Sequence, residues 1–149
     1  MYRQGHWGVT LLVYAPLGLV LASLGSPDVA LVGGAVMLSL STVPDYDHDI
    51  PFLEHRGPTH TLAFALLVGG AFASVAALLS PPTDAMLAFE LTTLAFLVGT
   101  LGIVAHLIGD LLTPAGVPLF WPLSSETYTL SVTRVDNTVA NWALLVLGV

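Results

Sequence analysis

Long apolar runs separated by short polar turns dominate this chain. About 20 consecutive apolar residues are needed for a helix to cross the hydrocarbon core of a bilayer. On that template the hydrophobic pattern predicts helices over residues 7–24, 29–43, 61–79, 86–112 and 139–149. The second run is short for a full crossing, and a thin bilayer or a tilted helix would absorb the difference.

The breaks between these runs carry turn and proline residues. Ser80, Pro81 and Pro82 end the third run, and Pro114 closes the fourth, because a proline ring nitrogen cannot donate a helical hydrogen bond. The fold class predicted is an all-α polytopic transmembrane bundle with four full crossings and a partial fifth apolar helix, in one domain over residues 1–149. The fifth run has 11 residues, which fits either a half-helix packed on the bundle or an incomplete crossing.

Composition agrees with a bilayer as the solvent. Hydrophobic residues make up 55% of the chain and charged residues 9%, and the mean hydropathy is +0.86. The net charge of -7 comes from ten acidic residues against three basic ones, all arginines, so nothing basic is available to bind a nucleic-acid backbone. Membrane lipid is therefore the expected environment and a possible substrate. The absence of lysine beside many acidic residues is typical of halophilic archaea, which predicts that source.

The arginines predict the orientation. Four crossings place the N-terminus, residues 44–60 and the segment after residue 112 on one side of the membrane. Arg3, Arg56 and Arg134 all fall on that side, and the positive-inside rule assigns it to the cytoplasm. The prediction is an integral plasma-membrane protein with this end facing the cytoplasm.

Potential metal ligands gather at the same end. The chain has no cysteine, so a metal would have to be held by imidazole and carboxylate groups. Such ligands suit a divalent ion, with zinc the first choice and manganese or iron as alternatives. The five histidines and several acids map to this end: His6, His48, His55, His60, His106, Asp45, Asp47, Asp49, Glu54 and Asp110.

His106 and Asp110 are four residues apart, which places both side chains on one helix face. Ionisable groups on a transmembrane helix are costly unless they are paired or coordinated, so the pair indicates a functional site. A hydrogen-bonded pair that braces the bundle is the alternative.

The loop between the second and third helices holds the other candidates. The run Pro44-Asp45-Tyr46-Asp47-His48-Asp49 places three carboxylates within five residues, which favours a nearby cation, while a solvated acidic turn is the alternative. Arg56 is suited to binding an anionic group such as phosphate, or to anchoring the chain at the membrane surface. His6, beside Trp7, fits either a metal ligand or an interfacial residue.

These motifs together resemble the YdjM-like family of membrane-bound metal-dependent hydrolases. The matching residues run from His6 to Gly116: His6, Pro44-Asp45-Tyr46-Asp47, His55-Arg56-Gly57-Pro58-Thr59-His60, His106-x-x-x-Asp110 and Thr113-Pro114-Ala115-Gly116. That family in turn is remotely similar to the zinc-dependent phospholipase C and P1 nuclease group.

The resemblance implies a hydrolase that uses a metal-activated water on a phosphoester, in a lipid or a lipid-linked substrate. That remote group holds a cluster of zinc ions. One or two zinc ions are implied here, because no histidine follows Asp110 to complete a third zinc site. The implied catalytic residues are Asp47, Arg56 and Thr59. The implied metal ligands are His6, Asp45, Asp47, His55, His60, His106 and Asp110.

Two other classes of function fit the same residues. A metal or proton transporter also uses histidine and aspartate within a helical bundle, although here they cluster at one face. A noncatalytic membrane protein with a structural metal would fill every coordination position with protein ligands.

Overall fold

Five apolar segments form helices in the computed structural model, which describes residues 1–52 and 55–149. Glu54, one of the acidic residues assigned to the polar end, lies outside that range. The helices are α1 (Arg3–Ser23), α2 (Pro27–Leu40), α3 (Leu62–Leu79), α4 (Ala85–Leu111) and α5 (Thr138–Gly148), with 3-10 turns at Pro44–Asp49 and Pro58–His60.

Four helices in this part of the chain are long and apolar enough to cross a membrane, and α5 is a shorter apolar helix. The predicted all-helical membrane fold is confirmed. The second crossing runs from Pro27 to Asp49, 23 residues, because the 3-10 turn continues α2. This continuation supplies the length that the apolar run alone lacks.

Two helix boundaries differ from the sequence prediction by three residues or more. α1 begins at Arg3, four residues before the predicted start, so Arg3 and His6 lie on its first two turns. α2 ends at Leu40 and not at residue 43. Hydrophobicity sets where a segment is apolar, whereas helical hydrogen bonding sets where the helix begins and ends, and polar residues can extend a helix beyond its apolar run.

α4 lies at the centre of the bundle and packs against α1, α2 and α3, while α5 packs along α1. Tyr14, Met37 and Val98 form the buried centre between α1, α2 and α4. The Tyr14 ring fits there because Gly33 faces it: a Cβ at Gly33 would lie 2.7 Å from the tyrosine oxygen. Tyr14 donates its hydroxyl hydrogen to the Ala30 carbonyl, so this polar atom is satisfied inside the bundle.

The segment between α4 and α5 folds back over the end of α4. The backbone N–H of Leu130 donates to the Leu111 carbonyl at 2.7 Å, and that of Thr133 donates to Leu112 at 2.9 Å. These bonds satisfy carbonyls that a helix C-terminus leaves without partners. The fold thereby closes the polar end of the bundle, where α1 and α3 begin and α2 and α4 end.

Candidate metal centre

Four side chains from three separate parts of the chain meet at the polar end of the bundle. Asp45 comes from the 3-10 turn after α2, His60 from the turn before α3, and His106 and Asp110 from the last turns of α4. His60, His106 and Asp110 are almost fully buried, while the Asp45 side chain is 40% exposed. The predicted convergence of the loop with the His106/Asp110 pair is present in the structure.

The facing atoms are spaced as ligands of one ion would be. His60 Nε2 lies 3.1 Å from His106 Nε2. Asp45 Oδ1 lies 3.5 Å from each of these nitrogens. Asp110 Oδ2 lies 3.6 Å from His60 Nε2 and 3.4 Å from His106 Nε2. Ligands about 2.0–2.2 Å from a tetrahedral zinc ion are separated by about 3.3–3.6 Å, so these separations are close to those of a tetrahedral set.

Hydrogen bonds at Nδ1 of His106 and His60 orient the unprotonated Nε2 of each ring toward the cluster. His106 Nδ1 lies 2.7 Å from the Ser41 carbonyl, which can only accept, so Nδ1 carries the hydrogen. Thr59 donates its hydroxyl hydrogen to Asp47 at 3.0 Å and therefore accepts from His60 Nδ1 at 3.1 Å. In the neutral rings both Nε2 atoms then present lone pairs to each other.

Asp110 has two different environments at its two oxygens. Oδ1 accepts hydrogen bonds from the Met1 amino group at 2.9 Å and from Arg56 Nη2 at 3.0 Å. Oδ2 faces the two imidazoles, is buried, and receives no hydrogen bond from residues 1–52 or 55–149. A buried carboxylate oxygen without a donor is costly, and a cation between Oδ2 and the two Nε2 atoms would satisfy all three.

Asp47, Thr59 and His55 lie behind His60 and outside the four-residue cluster. Asp47 is buried and accepts from Thr59, from the Arg56 backbone N–H at 3.1 Å, and pairs with His55 Nδ1 at 2.9 Å. His55 also stacks on His48, with ring centroids 3.6 Å apart. Asp47, His48 and His55 therefore form a second group close enough to hold an ion.

Arg56 and His6 flank Asp110 on its Oδ1 side. Arg56 spans from Asp110 to the Gly116 carbonyl, to which its Nη1 donates at 3.0 Å. His6 Nε2 lies 3.2 Å from the Met1 amino nitrogen and 3.5 Å from Asp110 Oδ1, and its ring stacks on His106 at 4.0 Å. The structure thus brings His6 beside the cluster but not among the four residues whose ligand atoms converge.

Two supporting positions have little signal in the sequence. Ser41 orients His106 through its backbone carbonyl, a group that every residue has. Gly109 leaves room for the His6 ring, since a Cβ there would lie 2.6 Å from His6 Nδ1. In the sequence, the glycine between His106 and Asp110 is the feature that indicates a close approach of another side chain to the α4 backbone.

The segment after α4 brings aromatic residues near Arg56. A cavity of about 520 Å³ has Arg56, Trp121 and Thr127 in its wall. The neighbouring Glu126 carboxylate accepts the Tyr128 hydroxyl hydrogen at 2.9 Å, and this bond raises the pKa of Tyr128.

Asp47 offers a direct test of the imidazole orientation described above. Changing Asp47 to asparagine is expected to weaken zinc binding by about 10–100-fold, the usual cost of losing an outer partner of a ligating histidine. Titration of the metal-free protein against a competing chelator measures this affinity. Asp49→Asn removes an exposed carboxylate from the same turn and is the matched control; equal affinities for the two variants would contradict the orienting role.

Comparison with known proteins gives a family for the chain. A model described as YdjM inner membrane protein matches residues 1–149. Curated relatives named inner membrane protein YdjM, from Escherichia coli (strain K12) and Shigella flexneri, are each 34% identical over 109 residues, covering 62% of this chain and 49% of the relative. The chain thus spans about half the length of those relatives, and no solved structure matches it. On the family match, this integral membrane protein belongs to the YdjM inner membrane protein family.

Proposed function

We propose that the protein is a membrane-bound metal-dependent hydrolase of a phosphoester in a lipid or lipid-linked substrate. The observation that carries the proposal is the set of four nitrogen and oxygen atoms, from Asp45, His60, His106 and Asp110, that all lie within 4.8 Å of one another. The remoter similarity to zinc-dependent phospholipases and nucleases stays a prediction.

These four residues would hold one divalent ion, most simply zinc. Donors that are all imidazole nitrogen and carboxylate oxygen suit zinc, manganese or iron. Asp47 already receives hydrogen bonds from Thr59 and from the Arg56 backbone, so we assign it, with Thr59, to positioning His60 and not to a second ion. A bound divalent ion lowers the pKa of a coordinated water and neutralises charge on a phosphoryl oxygen.

Among the four, Asp45 is the residue placed to act on water. Its side chain is 40% exposed and lines a cavity of about 200 Å³ that also reaches His6. A carboxylate that would hold the ion through Oδ1 keeps its second oxygen available to accept a proton from a water molecule entering at this opening. Arg56, in contrast, already binds Asp110 and the Gly116 carbonyl, so we assign it to holding Asp110 in place. By the arginine distribution the opening would face the cytoplasm.

A structural metal site is the second candidate function. Four protein ligands fill a tetrahedral ion completely, and a closed coordination shell is typical of structural zinc. The exposure of Asp45 favours the hydrolase, because the one ligand open to solvent lies at the cavity.

Turnover separates the two functions. Zinc-loaded protein is incubated with vesicles of phosphatidylglycerol and phosphatidylcholine, and released phosphate, phosphoalcohol headgroup and diacylglycerol are quantified. We expect turnover that falls more than about 100-fold in Asp45→Asn, since loss of a ligand should exceed the cost of losing an outer partner. Asp28→Asn, an exposed carboxylate at the opposite end of the bundle, should retain it. One bound zinc per chain with no turnover above that of Asp45→Asn on either lipid would support the structural site against the hydrolase.

A further inference from the structure

The cavity beside Asp45 also contains an arginine that the site described above does not use. Its wall is formed by Arg3, His6, Thr42, Asp45 and Tyr46, and its volume is about 200 Å³. Asp45 belongs to the four-residue cluster, so this cavity is an opening from the surface to the candidate metal centre. Arg3 lies on the first turn of α1 at this opening.

Arg3 differs from the other two arginines in its partners. Arg56 is paired with Asp110 at 3.0 Å and Arg134 with Asp136 at 3.1 Å. In the described stretches of the chain no carboxylate pairs with Arg3, whose guanidinium carbon lies 5.3 Å from the centre of the Trp7 ring. Stacking on tryptophan holds the side chain while leaving its N–H groups available for hydrogen bonds.

The location of Arg3 is not explained by the stability of α1. The N-terminal end of a helix carries partial positive charge, so a cation in the first turn is unfavourable there. The same helix end and the Arg3 guanidinium would together favour a bound anion. Arg3 and the helix end therefore favour an anionic ligand at the opening, and they offset the repulsion from the acidic Asp45 in the same wall.

The surface on the other side of Arg3 is suited to the apolar part of such a ligand. A second cavity of about 190 Å³ shares Arg3 and Thr42 with the first and continues between α1 and α2 along Trp7, Leu38 and Ser39. Tryptophan is enriched at the level of lipid headgroups, where its ring contacts both the apolar and the polar regions. The two cavities thus run from the candidate metal centre, past one arginine, to the lipid-facing cleft between two helices.

We propose that Arg3 binds the phosphate of a lipid phosphoester that enters laterally between α1 and α2. This inference rests on the proposed function, because it names the entry side and the phosphate-binding residue of that same site. The phosphate lies between the Arg3 guanidinium and Asp45, and the first carbons of the lipid chains contact Trp7 and Leu38. The ligand chemistry is a phosphate on an apolar body, in which both parts contribute to binding.

Binding is measured on the full chain in detergent, with zinc and without it, so that the result does not depend on turnover. The probes are dioctanoyl phosphatidic acid, inorganic phosphate and uncharged dioctanoylglycerol. The wild type should bind phosphatidic acid at least tenfold more tightly than either of the other probes. Arg3→Gln should weaken that binding on the order of tenfold with or without zinc, as expected for loss of charge-assisted hydrogen bonds. The affinity of Arg3→Lys should fall between those of the wild type and Arg3→Gln, because lysine keeps the charge but lacks the planar guanidinium group.

Arg134→Gln is the matched control, since Arg134 is an exposed arginine that is paired with Asp136 and lines neither cavity. It should bind phosphatidic acid as the wild type does. Unchanged binding in Arg3→Gln would overturn the proposal, as would dioctanoylglycerol binding as tightly as phosphatidic acid. Inorganic phosphate binding as tightly as phosphatidic acid would overturn the lipid part. Arg3-dependent binding in a protein without hydrolytic turnover would support the binding role of Arg3. It would contradict only the proposed hydrolase activity.

Discussion

Asparagine in place of Asp110 is expected to lower zinc affinity by more than about 100-fold, beyond the usual cost of removing an outer partner of a ligand. The amide keeps the shape of the side chain, but it removes the negative charge that would neutralise the ion at the centre of the cluster. Metal content after dialysis, measured by elemental analysis, should fall from one zinc per chain to a small fraction. Competition with a chromogenic chelator gives the affinity itself.

Two further variants make this result interpretable. Asp110 also pairs with Arg56 inside the protein, so its replacement can disturb folding as well as metal binding. Asp45→Asn alters the one exposed member of the cluster and should lose zinc while retaining the helical circular dichroism of the wild type. Asp28→Asn should keep both metal and fold. Full zinc occupancy with wild-type affinity in both Asp110→Asn and Asp45→Asn would rule out the proposed centre.

Glutamine in place of Arg56 is expected to destabilise the metal-free protein strongly. The Asp110 carboxylate is 1% exposed and would lose one of the two cationic groups that bind its Oδ1 atom. Removing one partner of a buried ion pair commonly costs about 3–5 kcal/mol, which for a chain of this size corresponds to a drop of roughly 10 °C in the melting midpoint. Thermal unfolding in detergent, followed by circular dichroism, measures the shift.

Zinc should reduce this effect, because an ion at Asp110 Oδ2 compensates the charge that Arg56 no longer balances. Part of the drop in the melting midpoint should persist with zinc bound, since Arg56 also donates to the Gly116 carbonyl. Arg134→Gln, which removes an exposed arginine from an exposed pair, should leave the midpoint within about 2 °C of the wild type. An equal drop with and without zinc would contradict the placement of the ion next to Asp110.

The polar end of the bundle was predictable because its residues follow the membrane topology. Once the apolar runs are counted, His6, the loop from Asp45 to His60 and the His106/Asp110 pair must all fall at one side. The four-residue spacing of His106 and Asp110 also determines that they share a helix face. These inferences need only the periodicity of helices and the thickness of a bilayer.

The role of each residue at that end was not predictable in the same way. Asp45 and Asp47 are two residues apart, yet the 3-10 turn directs Asp45 to the cluster of facing atoms and Asp47 to the far side of His60. Arg56 looked free to bind an anion, but the structure pairs it with Asp110 and leaves Arg3 at the opening to Asp45. Spacing along a short turn does not reveal such directions, since a small change in backbone angles moves a side chain by several ångströms.

The sequence by itself therefore determined that the protein lies in a bilayer, how many long helices it has, and at which end of the bundle its ionisable residues collect. It could do so because burial in a bilayer imposes a strong and regular requirement on every crossing segment. Only the tertiary structure decided which atoms face one another, because this depends on the packing of α1, α2 and α4 and on two short turns. That packing places four ligand atoms from three parts of the chain within 4.8 Å of each other. It also places Arg56 against Asp110, and Asp47 behind His60, as supports of the cluster.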